Sequence, residues 1–220
     1  MSMRIYTMTH KKFTPLPDPL YVPLHVGRAC GENLGYLGDD TGEQISALNC
    51  YYSELTGFYW IWKNCHDADY VGTCHYRRYL INEKEQIYTE KEYRELLRKY
   101  DLVTTKKVLL NNSYYDGFLA NHNIRALEMT GKVITEKYPE YADAFEQLVN
   151  GRQTYFGNIL VTSKILFDEY ASWLFSIFFE VAERIELETG EDAYHKRVFG
   201  FISEFLLLVW VTCLLYTSPS

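Results

Sequence analysis

The chain has 220 residues, of which 47 % are hydrophobic, 16 % aromatic and 23 % charged. This composition excludes an intrinsically disordered chain, because burial of so much apolar surface can offset the entropy lost on folding. The 22 basic and 29 acidic residues give a formal net charge of −7. That charge argues against an extended nucleic-acid surface, since neutralising phosphates requires a surplus of Lys and Arg.

Strand and helix patterns alternate along the first half of the chain. Residues 4–10 and 70–76 are rich in β-branched and aromatic side chains and are predicted strands. Between them, Ile45–Asn64 carries apolar side chains at three- and four-residue intervals, and Thr41 and Gln44 before it have the spacing of a helix start. The other predicted elements, in chain order, are a strand at 21–26, a helix at 90–99, a strand at 101–105, helices at 114–135 and 140–149, a strand at 155–162, and helices at 166–186 and 199–211.

This order of elements predicts an α/β fold with a mostly parallel central sheet flanked by helices. No linker-like composition separates the elements, so residues 1–211 are predicted to form one domain, with a short tail at 212–220. The longest apolar stretch, Phe205–Tyr216, is shorter than the roughly 20 residues that a membrane-spanning helix needs. The chain opens without a secretory-signal pattern, and its five cysteines form no CxxC pair. We therefore expect a cytoplasmic protein with reduced, mostly buried thiols.

The densest polar cluster, His75-Tyr76-Arg77-Arg78-Tyr79, stands where a buried strand ends. Ligands of open α/β sheets bind outside the carboxyl ends of the strands, and guanidinium groups match phosphate oxygens. His75, Arg77 and Arg78 are therefore candidates to bind a phosphorylated ligand, with the tyrosines available to stack on a base or a sugar. The alternatives are that the arginines pair with surface carboxylates and that His75 is a core histidine.

Two acidic pairs are candidate metal or sugar ligands. Asp67-Ala68-Asp69 has the DxD pattern of a divalent-cation site, but it precedes its strand, so capping and solvation explain it better. Asp39-Asp40 lies in a glycine-rich loop before a predicted helix. There the choice is between a helix cap and a contact to a sugar hydroxyl or a metal.

Three further polar side chains lie in the second half of the chain. Glu204 stands among apolar residues and needs a partner, for which Arg197 is suitably spaced. The pair is either structural or, if Glu204 faces a cleft, able to supply a general base. Asp116 and His122 are candidates for contacts to an acceptor, with a solvated helix face as the alternative. The sequence has no GxxxxGKS/T, GxGxxG, GxSxG or HExxH pattern, which disfavours ATPase, dinucleotide-binding and hydrolase functions.

Several blocks of the sequence resemble the DUF4422 family of bacterial capsular and exopolysaccharide biosynthesis proteins. The resemblance extends over about residues 3–211 and leaves out the tail. The blocks that carry it are Asp40–Ser46, Leu48-Asn49, Glu54–Asn64, Asp69–Gly72, His75–Tyr79, Gly157–Val161, Tyr170 with Trp173–Phe175, and Arg197 with Gly200–Glu204.

The resemblance implies a glycosyltransferase with a GT-A-like nucleotide-sugar-binding fold. Such an enzyme transfers a sugar from a nucleotide-sugar donor to a glycan or lipid-linked acceptor in capsule, exopolysaccharide or lipopolysaccharide biosynthesis, at the inner face of the cytoplasmic membrane. The donor is expected near strand one and the diphosphate near the two arginines. The expected donor-binding residues are Thr9, His10, Lys11, Asp40, His75, Arg77 and Arg78, the candidate bases are Asp116 and Glu204, and the candidate acceptor contact is His122.

No metal ligand is assigned, although Mn²⁺ or Mg²⁺ is a conceivable cofactor. We expect the cationic side chains to neutralise charge on the departing diphosphate. A rival hypothesis is a non-catalytic glycan-binding or assembly protein of the polysaccharide machinery. The two differ in whether a nucleotide-sugar donor is turned over.

Overall fold

A computed structural model describes residues 2–187, 192 and 194–217. These residues divide into two compact units, the first formed by 1–105 with 157–171 and the second by 106–156 with 172–220. Compact units can belong to one folding domain, so the expectation of a single domain over residues 1–211 stays a prediction. The strands are β1 (Met3–Thr9), β2 (Tyr21–His25), β3 (Leu37–Gly38), β4 (Tyr70–His75), β5 (Leu102–Thr104), β6 (Val108–Leu109), β7 (Gln153–Thr154) and β8 (Leu160–Ser163). The helices are α1 (Asn49–Tyr52), α2 (Leu55–Asn64), α3 (Glu90–Leu97), α4 (Tyr114–Asn121), α5 (Ile124–Lys137), α6 (Ala142–Val149), α7 (Lys164–Arg184) and α8 (Val198–Thr217).

The first unit is built on a six-stranded sheet with the order β3-β2-β1-β4-β8-β5. Strands β1 to β4 pair in parallel, and β8 runs antiparallel to its neighbours β4 and β5. The sequence-based prediction of an α/β fold with a mostly parallel central sheet flanked by helices is confirmed.

Both faces of this sheet are covered, because successive side chains of a strand point to opposite faces. On one face, Ile5 belongs to a buried cluster that includes Tyr93 of α3. On the other face, α2 lies so close to the sheet that a Cβ at Gly57 would stand 2.6 Å from the sulfur of Met8. The absence of a side chain at Gly57 therefore permits the close approach of α2 to β1.

The second unit is mainly helical, with a two-stranded ribbon of β6 and β7. Helix α8 is apolar on nearly all sides, as expected for a helix enclosed by other elements. The ring of Phe205 in α8 stacks on Tyr114 at a centroid distance of 4.2 Å and meets Phe145 edge-on at 5.5 Å. Helix α8 continues through residues 212–217 of the predicted tail, and residues 218–220 lie outside the described part.

Two predicted helices are interrupted in the structure. The helix expected at 45–64 is broken at Ser53, which has a φ of 52°, and no helix starts at Thr41 or Gln44. Their side chains instead accept hydrogen bonds from the Trp60 indole and the Ser46 backbone. The helix expected at 114–135 divides because the Asn123 side chain accepts a hydrogen bond from the Arg125 N–H, which starts a new helix.

The strand predicted at 155–162 is also shorter than expected. Gly157 and Asn158 have φ values of 97° and 47°, which strand residues do not adopt, so β8 begins only at Leu160.

All five cysteines are free, but Cys30 and Cys50 are exposed, which corrects the expectation of mostly buried thiols. Among the described residues, no helix is long and apolar enough to span a bilayer.

Candidate active site

The parallel strands bring the predicted donor-binding residues to one edge of the sheet. Strands β1, β2, β3 and β4 all end there, so the segments after Thr9, His25, Gly38 and His75 lie side by side. The loop before the antiparallel strand β8 arrives at the same edge, where the Thr73 hydroxyl donates a hydrogen bond to the carbonyl of Asn158. This is the edge at which open α/β sheets bind their ligands.

Arg77 and Arg78 project from a tight turn directly after β4. The turn is held by two backbone hydrogen bonds between His75 and Arg78, of 3.1 and 2.9 Å. Both arginines are exposed, and neither forms an ion pair with a carboxylate of the described residues. The Arg77 guanidinium lies 4.8 Å from the centre of the Tyr76 ring. The structure thus leaves two guanidiniums without carboxylate partners at the edge where a ligand is expected.

Four rings line the neighbouring part of this edge, and sequence analysis missed two of them. Tyr76 meets His10 and Phe13 at centroid distances of 5.8 Å each, and Phe13 contacts Tyr36 at 5.5 Å. The Tyr36 hydroxyl donates a hydrogen bond of 2.7 Å to the Phe13 carbonyl. Phe13 and Tyr36 come from irregular loops, so no periodic pattern in the sequence indicates that they meet.

Thr9 and Lys11 have different positions within this edge. Thr9 is buried, and its hydroxyl both donates to the Lys11 carbonyl at 2.6 Å and accepts from the Lys11 N–H at 3.1 Å. Its side chain therefore fixes the course of the loop. Lys11 is exposed at the end of that loop.

The two aspartates after β3 differ sharply in their surroundings. Asp39 is fully buried, and its carboxylate accepts hydrogen bonds from two backbone N–H groups and two hydroxyls. Asp40 is partly exposed and pairs with the Arg28 guanidinium at 2.6 Å. The donors to Asp39 are Gly27 N, Arg28 N, Ser46 Oγ and Thr56 Oγ1. Asp39 therefore organises the loops of the site, and the predicted Asp40 holds an arginine at its rim.

A carboxylate that sequence analysis did not select lies beside His75. The Glu54 side chain is 13 % exposed, accepts a 2.7 Å hydrogen bond from the Asn158 amide and lies 3.9 Å from Nε2 of His75. We call Glu54, His75 and Asn158 the Glu54 cluster. His75 Nε2 also lies 2.6 Å from the carbonyl of Gly157, which can only accept, so Nε2 carries the proton.

The backbone around the Glu54 cluster is strained. Ser53 and Asn158 have φ values of 52° and 47°, and both flank or belong to the cluster. Residues other than glycine seldom adopt such angles, and these conformations are concentrated at functional sites. In the sequence Glu54 is only a polar exception on an apolar helix, and Asn158 is 104 residues away.

The candidate bases Asp116 and Glu204 belong to the second unit. The exposed Asp116 accepts a 2.7 Å hydrogen bond from the Ser113 hydroxyl, and its own N–H donates to that hydroxyl, so it closes the first turn of α4. Glu204 is half-buried near the Tyr114 hydroxyl, whose pKa is raised by burial and by the Glu204 carboxylate. The Tyr114 hydroxyl donates to the carbonyl of Phe201.

His122, the predicted acceptor contact, also lies in the second unit. Its ring stacks on Phe201 at a centroid distance of 4.2 Å. Burial, together with the nearby His195 and Arg197, lowers the pKa of His122 to about 4. His122 is thus a neutral, half-buried imidazole at neutral pH.

The DxD motif lies at the opposite edge of the sheet from the arginines. Asp67 forms an ion pair of 2.6 Å with Arg4, and Asp69 accepts a hydrogen bond from the Ser2 backbone N–H at 2.6 Å. Both aspartates are engaged in joining the amino ends of β1 and β4. This agrees with the interpretation that they cap and solvate this end of the sheet.

A cavity of about 530 Å³ is present in the second unit between α4, α5 and α6. Its floor is apolar and its rim is mainly acidic, and it contains none of the predicted site residues. We place the candidate active site at the sheet edge instead, because both the turn that carries the two guanidiniums and His75 of the Glu54 cluster belong to the carboxyl end of β4. The cavity is lined by Tyr115, Leu127, Glu128, Gly131, Lys132, Thr135, Ala142, Asp143, Phe145, Glu146, Val149 and Asn150.

Residues 4–214 match the sequence profile of DUF4422, described as a domain of unknown function. The chain belongs to the DUF4422 family. Among solved structures, this DUF4422 chain is similar to the apo structure of WbbM, a bifunctional glycosyltransferase, with a TM-score of 0.90 and 32 % sequence identity. The similarity covers 100 % of this chain but 44 % of the WbbM chain, so this chain spans less than half of that protein. No curated protein matches.

Proposed function

We propose that this DUF4422 chain is a glycosyltransferase of GT-A type that transfers a hexosyl group from a nucleotide-sugar donor to a glycan or lipid-linked acceptor. The observation that carries the proposal is the pair of guanidiniums, Arg77 and Arg78, at the carboxyl edge of a mostly parallel sheet without carboxylate partners among the described residues. The similarity to WbbM supports the same reaction class. We extend it to capsule, exopolysaccharide or lipopolysaccharide biosynthesis at the cytoplasmic face of the membrane, as the sequence resemblance to capsular and exopolysaccharide biosynthesis proteins implies.

In this proposal the donor lies along the sheet edge. The nucleotide stacks on the rings of His10, Phe13, Tyr36 and Tyr76, and the diphosphate rests against Arg77 and Arg78. Aromatic faces bind bases and sugars, and guanidiniums form charge-assisted, often bidentate hydrogen bonds with phosphate oxygens. The ion pair between Asp40 and Arg28, at 2.6 Å, borders this path.

The proposed reaction is displacement at the anomeric carbon of the donor sugar. The acceptor oxygen forms a bond to that carbon as the bond from the carbon to the diphosphate oxygen breaks, and the diphosphate leaves with the electron pair. The acceptor hydroxyl proton passes to a carboxylate base. We favour Glu54 over Asp116 and Glu204 for this role, because Glu54 lies beside His75 at the same edge as the arginines.

We assign the neutralisation of charge on the departing diphosphate to Arg77 and Arg78 rather than to a metal held by the protein. The carboxylates of the edge do not fit a metal site: Asp39 accepts hydrogen bonds from four donors, and Asp40 is paired with Arg28. Nor do the described residues contain three grouped metal-ligating side chains. The proposal predicts transfer activity in EDTA. Activity that is abolished by EDTA and restored by Mn²⁺ or Mg²⁺ would show that this assignment is wrong.

The decisive experiment measures binding of UDP and GDP to the Arg77→Gln/Arg78→Gln double variant. Hydrogen bonds to charged groups contribute about 1.5–3 kcal/mol each, so we expect each lost guanidinium to weaken binding roughly 10- to 100-fold. Arg98→Gln, which removes an exposed arginine directly after α3, is the matched control and should bind as the unchanged protein does. Unchanged nucleotide affinity in the double variant rejects the site. Glycan binding without donor binding would favour the non-catalytic rival.

A further inference from the structure

A group of nitrogen-bearing and aromatic side chains lies in the helical unit, around the N-terminal end of α8. It consists of His122, Tyr194, His195, Arg197 and Phe201, which we call the His122 cluster. The His122 ring lies 5.9 Å from Tyr194 and 6.1 Å from His195, measured between centroids. The Arg197 guanidinium lies 4.9 Å from the Tyr194 ring and 5.5 Å from the Phe201 ring. Two imidazoles and a guanidinium are therefore gathered on a floor of aromatic rings.

Within the described part of the chain, this cluster has few carboxylate partners. Among the described residues, Asp192 is the carboxylate that pairs with the cluster, and its bond of 2.9 Å goes to His195. Arg197 forms no ion pair with any described carboxylate. Burial lowers the pKa of His122, and the nearby His195 and Arg197 lower it further.

His122 also has an unused polar atom. Its Nδ1 is buried and makes no hydrogen bond with the described residues. A buried polar atom without a partner costs free energy, so such an atom in a native structure calls for an explanation. A bound oxyanion beside His122 would supply the missing partner and balance the charge of Arg197 at the same time.

We propose that the His122 cluster binds a phosphate or diphosphate group. Arg197 and His195 donate hydrogen bonds to its oxygens, and His122 contributes its free ring nitrogen. The Arg197 guanidinium alone could satisfy both oxygens of a carboxylate. A phosphate presents more oxygens, so it suits a site with three nitrogen-bearing side chains better. The source of the group rests on the proposed function: because the donor diphosphate is assigned to Arg77 and Arg78, the group at the His122 cluster is the diphosphate of a lipid-linked acceptor.

The test uses NMR of protein labelled with ¹⁵N-histidine and titrated with inorganic pyrophosphate. The signals of His122 and His195 are assigned with His122→Phe and His195→Asn. We expect both signals to shift on titration, and Arg197→Gln to weaken the response at least about tenfold. Arg125→Gln, which removes an exposed arginine at the start of α5, is the matched control and should respond as the unchanged protein does.

Two outcomes overturn the proposal: both histidine signals stay unmoved at millimolar pyrophosphate, or they shift equally in Arg197→Gln with an unchanged melting temperature. Because the readout is local to these histidines, it is independent of nucleotide binding at Arg77 and Arg78. Failure of the proposed function and failure of this site are therefore distinguishable.

The source of the group is decided by two further probes, geranyl diphosphate and UDP, in the Arg77→Gln/Arg78→Gln background. A tighter response of His122 and His195 to geranyl diphosphate supports the lipid-linked acceptor as the source. A tighter response to UDP would contradict this source.

Discussion

Asp39 and Asp40 carry the same side chain but differ in burial and in partners. Asp39 is inaccessible to solvent and accepts four hydrogen bonds, whereas Asp40 faces the rim and holds Arg28. The sequence indicates an acidic pair in a glycine-rich loop. Asp39, rather than Asp40, organises the loop because its four hydrogen-bond donors come from positions between residues 27 and 56.

Asp39→Asn should destabilise the protein by about 2–4 kcal/mol. The new NH₂ group would face N–H and O–H donors, with which it cannot form hydrogen bonds, and the charge-assisted hydrogen bonds would be lost. Asp40→Asn is the neighbouring control and should cost less than about 1 kcal/mol, since a partly exposed ion pair contributes little. Urea unfolding measures both values. Equal losses in the two variants would contradict the role of Asp39.

Glu54 is the residue on which the proposed chemistry depends most directly. Glu54→Gln retains an oxygen that can accept the hydrogen bond from Asn158 but removes the charge, so we expect kcat to fall by about 100-fold or more, with the melting temperature changed by less than about 2 °C. Transfer assays with a nucleotide-sugar donor provide the measurement. Glu43→Gln, which alters an exposed carboxylate paired with Lys63, should leave kcat unchanged. Full activity of Glu54→Gln would exclude Glu54 as the base.

At the scale of elements, regular patterns were predicted well and their interruptions were not. The apolar spacing of Ile45–Asn64 predicts helical structure, and α2 accounts for its second half. The break at Ser53 arises where the chain turns to present Glu54 to Asn158, a contact between residues far apart in sequence. Likewise β8 is delayed to Leu160 by the turn that carries Asn158.

Gly57 provides a test of how closely α2 approaches the sheet. Alanine is the better helix former by about 1 kcal/mol, but its Cβ would stand 2.6 Å from the Met8 sulfur and 2.8 Å from Val26. We expect the steric overlap of the new Cβ to outweigh the gain in helix propensity, so that Gly57→Ala lowers the free energy of unfolding by about 1–3 kcal/mol.

Gly117→Ala is the matched control for this prediction. A Cβ at Gly117, inside α4, would meet no atom within 4 Å, so this variant should be stabilised by about 0.5–1 kcal/mol. Both values are measured by urea unfolding. Equal stability of the two variants would contradict the close packing of α2.

At the scale of the whole molecule, each compact unit contains a histidine whose pKa is lowered by burial. Burial lowers the pKa of His25 in the first unit, and burial with the nearby His195 and Arg197 lowers that of His122 in the second to about 4. The unfolded histidine has a pKa of about 6.5, so between about pH 6.5 and 4 the unfolded chain binds more protons than the folded one. The free energy of unfolding should therefore decrease as the pH falls through this window.

We expect a loss of about 1–3 kcal/mol between pH 7 and 5, after allowing for the partial exposure of His122. Urea unfolding at a series of pH values measures it. His122→Phe should flatten the dependence, whereas His66→Gln, which changes an exposed histidine, should not. A free energy of unfolding that is constant over this pH range would show that the pKa of neither His25 nor His122 is lowered in the folded protein.

The sequence by itself determined the class of fold, the family and the position of the arginines. Strand periodicity and composition are local properties, and His75–Arg78 stands where a buried strand ends, so parallel pairing places these side chains at the ligand edge. The tertiary structure decided which side chains meet there. Glu54, Phe13 and Tyr36 reach the site through contacts between distant segments, and no local pattern records such contacts because the energy that forms them is gained only when the sheet is assembled.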